Sequence, residues 1–265
     1  MAENDDPNEL MRLAVCSELR KNILVYLNDG EKSLREMREE MNVSSTTAIH
    51  ALKDLEKSNL TFQDQDKKYA LTNIGKIMAL KLVDFSDAAL VLKKHEKFWL
   101  EHDMSGIPVH LMRKIGWLED SVLFTDTEID IFKVHSNFIN LLKDAKEIKG
   151  VSPIFVPEFA SLFEELVITK NVNVSLIIKK DVLDKISSEI KQKILDINNN
   201  PGLNLYVIED DIKIAFTVTD YFMSLGFFRQ DGVYDYSNDL INYNEKGIAW
   251  GNELFEYYRR AAKII

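Results

Sequence analysis

Residues 33–71 most constrain the fold, because helix, turn, helix and hairpin patterns follow one another there without interruption. The first of these helices has apolar residues three and four positions apart, at Leu34, Met37 and Met41. After the polar turn 42–44, a second helix carries four apolar side chains inward: Ala48, Ile49, Leu52 and Leu55. Two short strands, 60–62 and 69–71, flank a charged turn. This order predicts a winged helix-turn-helix, whose second helix has the size to enter a DNA major groove.

The helix that completes this unit is predicted over residues 10–28, where apolar side chains recur at helical spacing. Ser33 stands three residues before Glu36, which is typical of a capping box. Ser44 or Ser45 is predicted to cap the second helix of the motif, referred to below as the recognition helix. Free N–H groups and hydroxyls at such a helix start suit phosphate oxygens.

Composition places the chain among soluble intracellular proteins. Its apolar content of 46% and charged content of 29% are typical of a globular protein. The single cysteine, Cys16, excludes an intramolecular disulfide and is expected to be a small core residue of the first helix. No uncharged apolar run reaches the ~20 residues of a membrane span, and the acidic N-terminus lacks the pattern of a signal peptide. We therefore expect a reducing, cytoplasmic location and no membrane partner.

The net charge of −10 argues against sequence-independent binding of nucleic acid. Residues 1–82 hold 12 Lys/Arg and 14 Asp/Glu, whereas residues 83–265 hold 21 Lys/Arg and 29 Asp/Glu. The helical unit is therefore nearly neutral, and most of the negative charge lies in the remainder. A nearly neutral DNA-binding unit needs dimerisation and specific base contacts to bind well.

Four segments follow one another along the chain. An acidic tail, 1–9, precedes the winged helix-turn-helix, 10–71, and residues 72–102 form one long helix or two abutting helices. A polar stretch with Gly and Pro then begins an α/β domain over 103–265. The helical segment 72–102 is apolar on more than one face, which favours contact with a second copy of the chain. The alternative is that it packs only within its own subunit.

Strands alternate with helices in the last segment, and a strand meander follows them. The expected strands are 121–124, 147–155, 172–179, 203–209, 212–219 and 221–229. The expected helices are 109–118, 129–145, 157–170, 181–198 and 244–263. This alternation predicts an α/β domain with a mixed sheet, and so a two-domain protein of the α+β or α/β class.

Two parts of the chain resemble archaeal regulators. The N-terminal unit resembles ArsR-like winged-helix regulators, including the transition 71–75 from the wing into the next helix. The C-terminal half resembles the FilR-type middle domain of methanogenesis regulatory proteins, through segments 150–153, 174–178, 216–226 and 250–259. The resemblance implies a transcription regulator whose second domain takes a ligand that the family does not define.

The C-terminal half also looks like half of a phospholipase-D-type α/β fold. Catalytic members of that fold carry a His-x-Lys-x4-Asp motif. Here Lys213 precedes Asp220 without that spacing, and Asp211 stands where the histidine is needed. Without a histidine nucleophile no phosphoryl intermediate forms. The resemblance therefore implies a non-catalytic sensing domain, and we expect neither enzymatic activity nor a cofactor.

Candidate DNA contacts lie on the polar face of the recognition helix and on the wing. Thr46, Thr47 and His50 are predicted to meet base edges, and Lys53 a phosphate. Further contacts are predicted at the start of that helix and on the wing: Ser44, Ser45, Gln63, Gln65, Lys67 and Lys68. The wing acids Asp64 and Asp66 oppose phosphate binding. The alternative is a solvated helix face in a protein-binding winged helix.

Candidate ligand contacts in the second domain are Asp126, Glu128, Asp220, Tyr234 and Tyr236. The first two follow a strand end, where ligands of α/β domains commonly bind. Helix capping from 127 and a plain surface loop over 234–239 are the alternatives. Four histidines lack acidic or cysteine partners at metal-ligand spacing, so we expect surface or interface histidines and no metal: His95, His102, His110 and His135.

Together these patterns predict a DNA-binding transcription regulator. The expected partners are double-stranded operator DNA, a second copy of the chain in a homodimer, and a small-molecule effector in the α/β domain. Two alternatives stay open. One is a winged helix that binds proteins instead of DNA, and the other is a degenerate phosphodiesterase that uses Lys213 or Asp220.

Overall fold

A computed structural model describes residues 6–185 and 201–265. The chain divides into two compact units, Met1–Asp87 and Ala88–Ile265. The division lies within the segment 72–102, for which the sequence predicted a linker. Residues 88–102 contribute to the core of the second unit through Phe98 and Trp99, among others.

The first unit contains helices and a small antiparallel sheet. Its helices are α1 (Pro7–Val15), α2 (Glu18–Tyr26), α3 (Leu34–Met41), α4 (Ser45–Lys57) and the first part of α5 (Asn73–Lys94). Its strands, in the order β1-β3-β2, are β1 (Lys32–Ser33), β2 (Thr61–Gln63) and β3 (Lys68–Leu71). The helix-turn-helix is therefore α3–α4 and the wing is β2–β3, as predicted.

The helix predicted over 10–28 is wrong as a single element. It is broken at Cys16, because Ser17 has an extended backbone and caps α2 by accepting a hydrogen bond from the Arg20 N–H at 3.4 Å. Cys16 is exposed at this break, which corrects its expected place in the core.

Local capping fixes the two helices of the motif. Ser33 and Glu36 form the expected capping box at the start of α3, which ends at Asn42 in the left-handed conformation. Ser44 then caps α4 by accepting from the Thr47 N–H at 3.1 Å. The sequence alone left Ser44 and Ser45 as alternatives, and the structure selects Ser44.

The junction between the wing and α5 depends on a glycine. The Thr72 N–H donates to the Leu60 carbonyl, and the Thr72 hydroxyl accepts from the Gly75 N–H at 3.0 Å. A Cβ added at Gly75 would lie 1.8 Å from the Leu60 oxygen, so no other residue fits without movement of the backbone. The side chains of Ala79 and Leu82 then continue from α5 into the core of this unit.

The second unit is built on an eight-stranded mixed sheet in the order β11-β7-β6-β5-β8-β9-β10-β4. Its strands are β4 (Val122–Thr125), β5 (Glu147–Ser152), β6 (Asn173–Lys179), β7 (Leu203–Ile208), β8 (Ile214–Thr219), β9 (Met223–Phe227), β10 (Asn238–Asn242) and β11 (Lys263–Ile264). Strands β5, β6 and β7 are parallel, and the other pairs are antiparallel. The predicted mixed sheet is confirmed.

Helices cover both faces of this sheet. They are the end of α5, α6 (Glu96–Glu101), α7 (Val109–Met112), α8 (Lys133–Asp144), α9 (Pro157–Glu164), α10 (Lys180–Lys185) and α11 (Glu245–Ala261). Alternate residues of each strand face opposite sides, and the two sides have separate cores. One core contains Phe216 and Val218 with Trp250 of α11, and the other contains Ile148 and Val174 with Leu142 of α8.

Several predicted boundaries differ from the structure. The helix predicted over 109–118 is the short α7 followed by a 3-10 turn, Ile115–Leu118, and a π-helical turn, Glu165–Thr169, follows α9. Strand β10 lies partly within the stretch predicted as a loop, and α8 starts four residues later than predicted, at Lys133. The helix predicted over 181–198 falls mostly outside the described residues. Across 6–185 and 201–265, no helix is both long and apolar enough to span a membrane.

Candidate functional site

The outer face of α4 presents the polar residues predicted to contact DNA. Thr46, Thr47, His50 and Lys53 are exposed, while Ala48, Leu52 and Leu55 are buried on the opposite face. Residues 46, 50 and 53 share a helical face because they are four and three positions apart. The helix therefore offers a continuous polar surface with hydroxyl, imidazole and ammonium groups. Ile49 is only half-buried, and Ala51 takes the additional core position.

Arg38 is a cation at this surface that sequence analysis did not select. Its guanidinium donates to the Ser45 hydroxyl at 3.2 Å, which holds it beside the start of α4. The Ser44 and Thr47 hydroxyls also contact each other at 2.8 Å. An arginine next to the free N–H groups of a helix start is a favourable arrangement for a phosphate. Arg38 lies seven residues before Ser45, on the other side of the turn between α3 and α4. This spacing is the sequence feature that would have identified Arg38.

The residues of the wing that were predicted to contact DNA differ in their exposure and in their pairing with other side chains. Gln63, Gln65 and Lys67 are exposed, with Lys67 in the left-handed conformation at φ 61°. Lys68 instead pairs with Glu31 at 2.9 Å, and its backbone N–H donates to Asp64. This leaves Lys67 as the better-placed cation at the tip.

A cavity of about 880 Å³ lies in the second unit, between the sheet and the α8–α9 side. Its floor is formed by strands β5 to β9, through residues such as Gly150, Leu176 and Thr217. Its roof is aromatic and comes from α8, α9 and the segments before them: Phe132, Phe138, Phe155, Phe159 and Phe163. His135 stacks on Phe159 with ring centroids 5.5 Å apart, and its Nε2–H donates to the Glu158 carboxylate at 2.8 Å.

The polar end of the cavity is the stretch from Tyr234 to Asp239. Tyr234 is enclosed here because Gly226 lacks a side chain, and a Cβ at that glycine would lie 2.2 Å from the tyrosine oxygen. Burial raises the pKa of the Tyr234 hydroxyl above its usual range. Asp239 accepts from the Ser224 hydroxyl and the Leu225 N–H, yet burial raises its pKa to about 6.

Three of the five predicted ligand contacts line this cavity, namely Asp126, Tyr234 and Tyr236. Asp126 also caps α8 by accepting from the Val134 N–H at 2.8 Å. Thr127 accepts from the Asp130 N–H and so starts a turn before that helix. Glu128 is exposed and is not among the described residues that line the cavity. Asp220 accepts from the Lys146 and Glu147 N–H groups at the far end of β8.

Two of the four histidines expected at the surface or at an interface are buried within the second unit, namely His95 and His102. His102 contacts the Phe98 carbonyl at 2.6 Å and Asp235 at 3.0 Å, and Asp235 also pairs with Arg229 at 2.8 Å. His95 contacts the Ser121 carbonyl at 3.0 Å, and burial lowers its pKa. Sequence spacing could not reveal these partners, because Asp235 lies 133 residues from His102. Among the described residues, no group of three His, Cys, Asp or Glu side chains could hold a metal ion.

The residues considered for phosphodiester chemistry do not meet. Asp211 pairs with Lys179 at 2.9 Å and with Lys213 at 3.0 Å, just before β8. Asp220 follows the other end of that six-residue strand, so roughly 20 Å of extended chain separates it from Lys213. These three side chains therefore cannot act on one phosphate.

Comparisons with known proteins agree with this division of the chain. Residues 8–89 match the family model "Methanogenesis regulatory protein FilR1, N-terminal domain", and residues 131–261 match the corresponding middle domain. The methanogenesis regulatory protein FilR1 of Methanothrix harundinacea (strain 6Ac) is 29% identical over 260 residues. The match covers 96% of this chain and 57% of that relative, so the chain spans little more than half of the relative's length.

Solved structures show weaker similarity. TrmBL2, described as an archaeal chromatin protein with a novel mode of DNA binding, has a TM-score of 0.44 and 16% identity, with 93% of this chain and 94% of that chain covered. NucT from Helicobacter pylori also has a TM-score of 0.44, with 10% identity over 55% of this chain and 99% of that chain. Neither match has the strength to assign a function. With both family models matching in order and FilR1 similar along almost the whole sequence, the chain belongs to the family of FilR1-type methanogenesis regulatory proteins.

Proposed function

We propose that this protein is a DNA-binding transcription regulator that works as a homodimer and responds to a small molecule bound by its second unit. The observation that carries the proposal is the exposed face of α4, where Thr46, His50 and Lys53 form a polar surface beside a capped helix start. FilR1, which is similar along almost the whole chain, is named a regulatory protein. The ArsR-like character of the first unit remains a prediction.

Base recognition is assigned to Thr46 and His50, because both are exposed and have side chains that can donate or accept at base edges. Phosphate contacts are assigned to Lys53, Arg38 and Lys67. These cations position the protein on the duplex but do not read its sequence. The modest number of cations fits a protein that depends on specific contacts and on pairing of two DNA-binding units.

The test is fluorescence anisotropy of the purified full chain on its own upstream DNA and on random DNA. Thr46→Ala with His50→Ala should weaken binding to upstream DNA by about 1–3 kcal/mol per lost base contact and leave random DNA nearly unaffected. Lys53→Ala should weaken both, and Lys76→Ala, an exposed lysine of α5, is the matched control. Equal weak binding of both DNAs by the unaltered protein would contradict the proposal and favour a protein-binding winged helix.

The proposed dimer contact is the apolar stripe of α5 formed by Ile74, Ile77 and Phe85. Their side chains are 52%, 62% and 68% exposed, and they lie within one face of the helix. Exposed apolar residues grouped on one helix are unfavourable in water and are typical of an interface. A second copy of the chain is the proposed occupant, because two such helices can bury their stripes against each other with two-fold symmetry.

The dimer proposal predicts that a charged side chain placed in the apolar stripe halves the mass of the particle in solution. Phe85→Glu should shift the protein from dimer to monomer in analytical ultracentrifugation, because an unpaired carboxylate cannot be buried in the contact. Leu90→Glu is the matched control, since Leu90 is 61% exposed on the opposite face of the same helix. A monomeric unaltered protein, or dissociation by both substitutions alike, would remove the stripe as the interface.

A further inference from the structure

The cavity of the second unit has the size and lining of a small-molecule site. Its volume of about 880 Å³ lies within the usual range for ligand pockets, roughly 300–1,000 Å³. Leu176, Ile178 and Leu205 supply an aliphatic floor, opposite the aromatic roof. A molecule placed there would exchange water for apolar surface over most of its length.

The floor of the cavity is held independently of any ligand. Gly150 and Leu176 belong to paired strands, and Thr217 lies on β8 between β5 and β9. Strand β10 supplies Asp239 and is hydrogen-bonded on both sides, to β9 and β4. Because the walls of this site are already ordered, a ligand binds without the free-energy cost of ordering them.

Most charged or titratable side chains that line the cavity are acidic. Asp126, Glu158, Asp235 and Asp239 line the cavity, whereas the described lining contains His135 but neither lysine nor arginine. Two of the four carboxylates have basic partners in the structure: Asp235 contacts His102 and Arg229, and Glu158 contacts His135.

The contacts shown for Asp126 and Asp239 are with backbone N–H groups and one hydroxyl. Asp126 accepts from Val134, and Asp239 accepts from Ser224 and Leu225. Both carboxyl groups border a space enclosed by apolar walls, where charges are screened less than in water. A second negative charge in this space would be repelled, while a hydrogen-bond donor or a cation would be attracted. The aromatic roof adds ring faces that also attract a cation.

From this arrangement we propose that the cavity binds a mainly apolar molecule whose polar end donates hydrogen bonds and carries no negative charge, with an ammonium group preferred over a hydroxyl. The proposal deepens the proposed function, since it names the chemical class of the effector. It excludes carboxylates, phosphates and other anionic metabolites as ligands of this cavity.

Three probes of one shape test the proposal: 4-phenylbutylamine, 4-phenyl-1-butanol and 4-phenylbutanoate. Isothermal titration calorimetry on the full chain at neutral pH should rank them in that order. The amine should bind at least tenfold more tightly than the carboxylate. Equal or tighter binding of the carboxylate overturns the proposed class, and no binding of any probe overturns the cavity as a site for this kind of molecule.

Substitutions locate the binding within the cavity. Ala215→Phe fills space above the floor and should abolish binding of all three probes, with circular dichroism as the check of folding. Asp126→Asn with Asp239→Asn keeps the shapes but removes the two charges that have no basic partner, so it should reduce the amine-to-carboxylate affinity ratio severalfold, with circular dichroism again as the check of folding. Glu256→Gln is the matched control, because Glu256 is exposed on α11 and makes no part of the described lining. An unchanged ratio in the double variant overturns the role of the carboxylates.

The DNA assay separates this proposal from the function on which it depends. Probe binding without any specific DNA binding would overturn the regulator and leave the cavity assignment standing. Specific DNA binding without probe binding would overturn the cavity assignment and leave the regulator standing. If both occur, the amine should change the DNA affinity while the carboxylate leaves it unchanged at the same concentration, because only a ligand that distinguishes two states shifts their populations.

Discussion

At the scale of single residues, the contact between His102 and Asp235 shows how a polar pair can be stable inside the protein. Both ring nitrogens of His102 face acceptors, the Phe98 carbonyl and the Asp235 carboxylate, so the charged imidazolium satisfies both. Burial works to lower the pKa of His102, but these hydrogen bonds outweigh it and raise the pKa above its usual range. Asp235 is held ionised by the same contacts together with Arg229 and Asn238.

The pair predicts both a stability loss and its pH dependence. Asp235→Ala should cost about 3–5 kcal/mol in urea unfolding, because it leaves a buried charge without its partner. A raised histidine pKa stabilises the fold fully below the unfolded value of about 6.5, and this contribution is lost as the pH rises through the folded value. The stability difference between the unaltered protein and His102→Gln should therefore shrink as the pH rises above about 6.5. A constant difference from pH 6 to pH 9 would show that folding does not raise the pKa of His102.

At the scale of elements, the start of α4 has two roles that substitutions can separate. Ser44→Ala removes the cap on the Thr47 N–H and should cost about 1 kcal/mol of stability. Ser44→Asp keeps a capping oxygen and should preserve stability, yet it places a negative charge where a DNA phosphate is proposed. Chemical denaturation and DNA anisotropy on both variants check this. If Ser44→Asp binds DNA as well as the unaltered protein does, no phosphate lies at this helix start.

Local patterns predicted most elements but missed features that depend on distant residues. The capping box at Ser33, the wing and the parallel strands follow from short-range spacing and alternating apolar residues. Burial of His102 depends on Asp235, and the enclosure of Tyr234 depends on Gly226, so neither can be seen in any local stretch. The sequence likewise placed Asp126, Tyr234 and Tyr236 as ligand contacts, but the aromatic roof that joins them into one cavity comes from four separate segments.

At the scale of the whole molecule, the net charge of −10 limits how the protein can bind DNA. Few cations lie on the proposed surface of each copy, with Lys53, Lys67 and Arg38 the main ones. A dimer that uses these three cations in each copy neutralises about six phosphates and should show a slope of roughly −5 in a plot of log affinity against log salt. Anisotropy on upstream DNA over a salt series measures this slope. A value near −10 would require a phosphate-binding surface beyond the one proposed.

The two walls of the cavity differ in how freely they can change over evolutionary time. The floor strands have a second face that supports the core of α11, where Phe216 and Val218 alternate with the floor residues Ala215 and Thr217. A substitution that shifts the floor therefore disturbs both sides of the sheet. The roof residues on α8 and α9, such as Phe138, Phe159 and Phe163, pack against the core on one side of the sheet only. Members of this family that respond to different molecules should consequently differ mainly in the roof and share the floor, which makes the roof the place to exchange when a regulator with a new specificity is engineered.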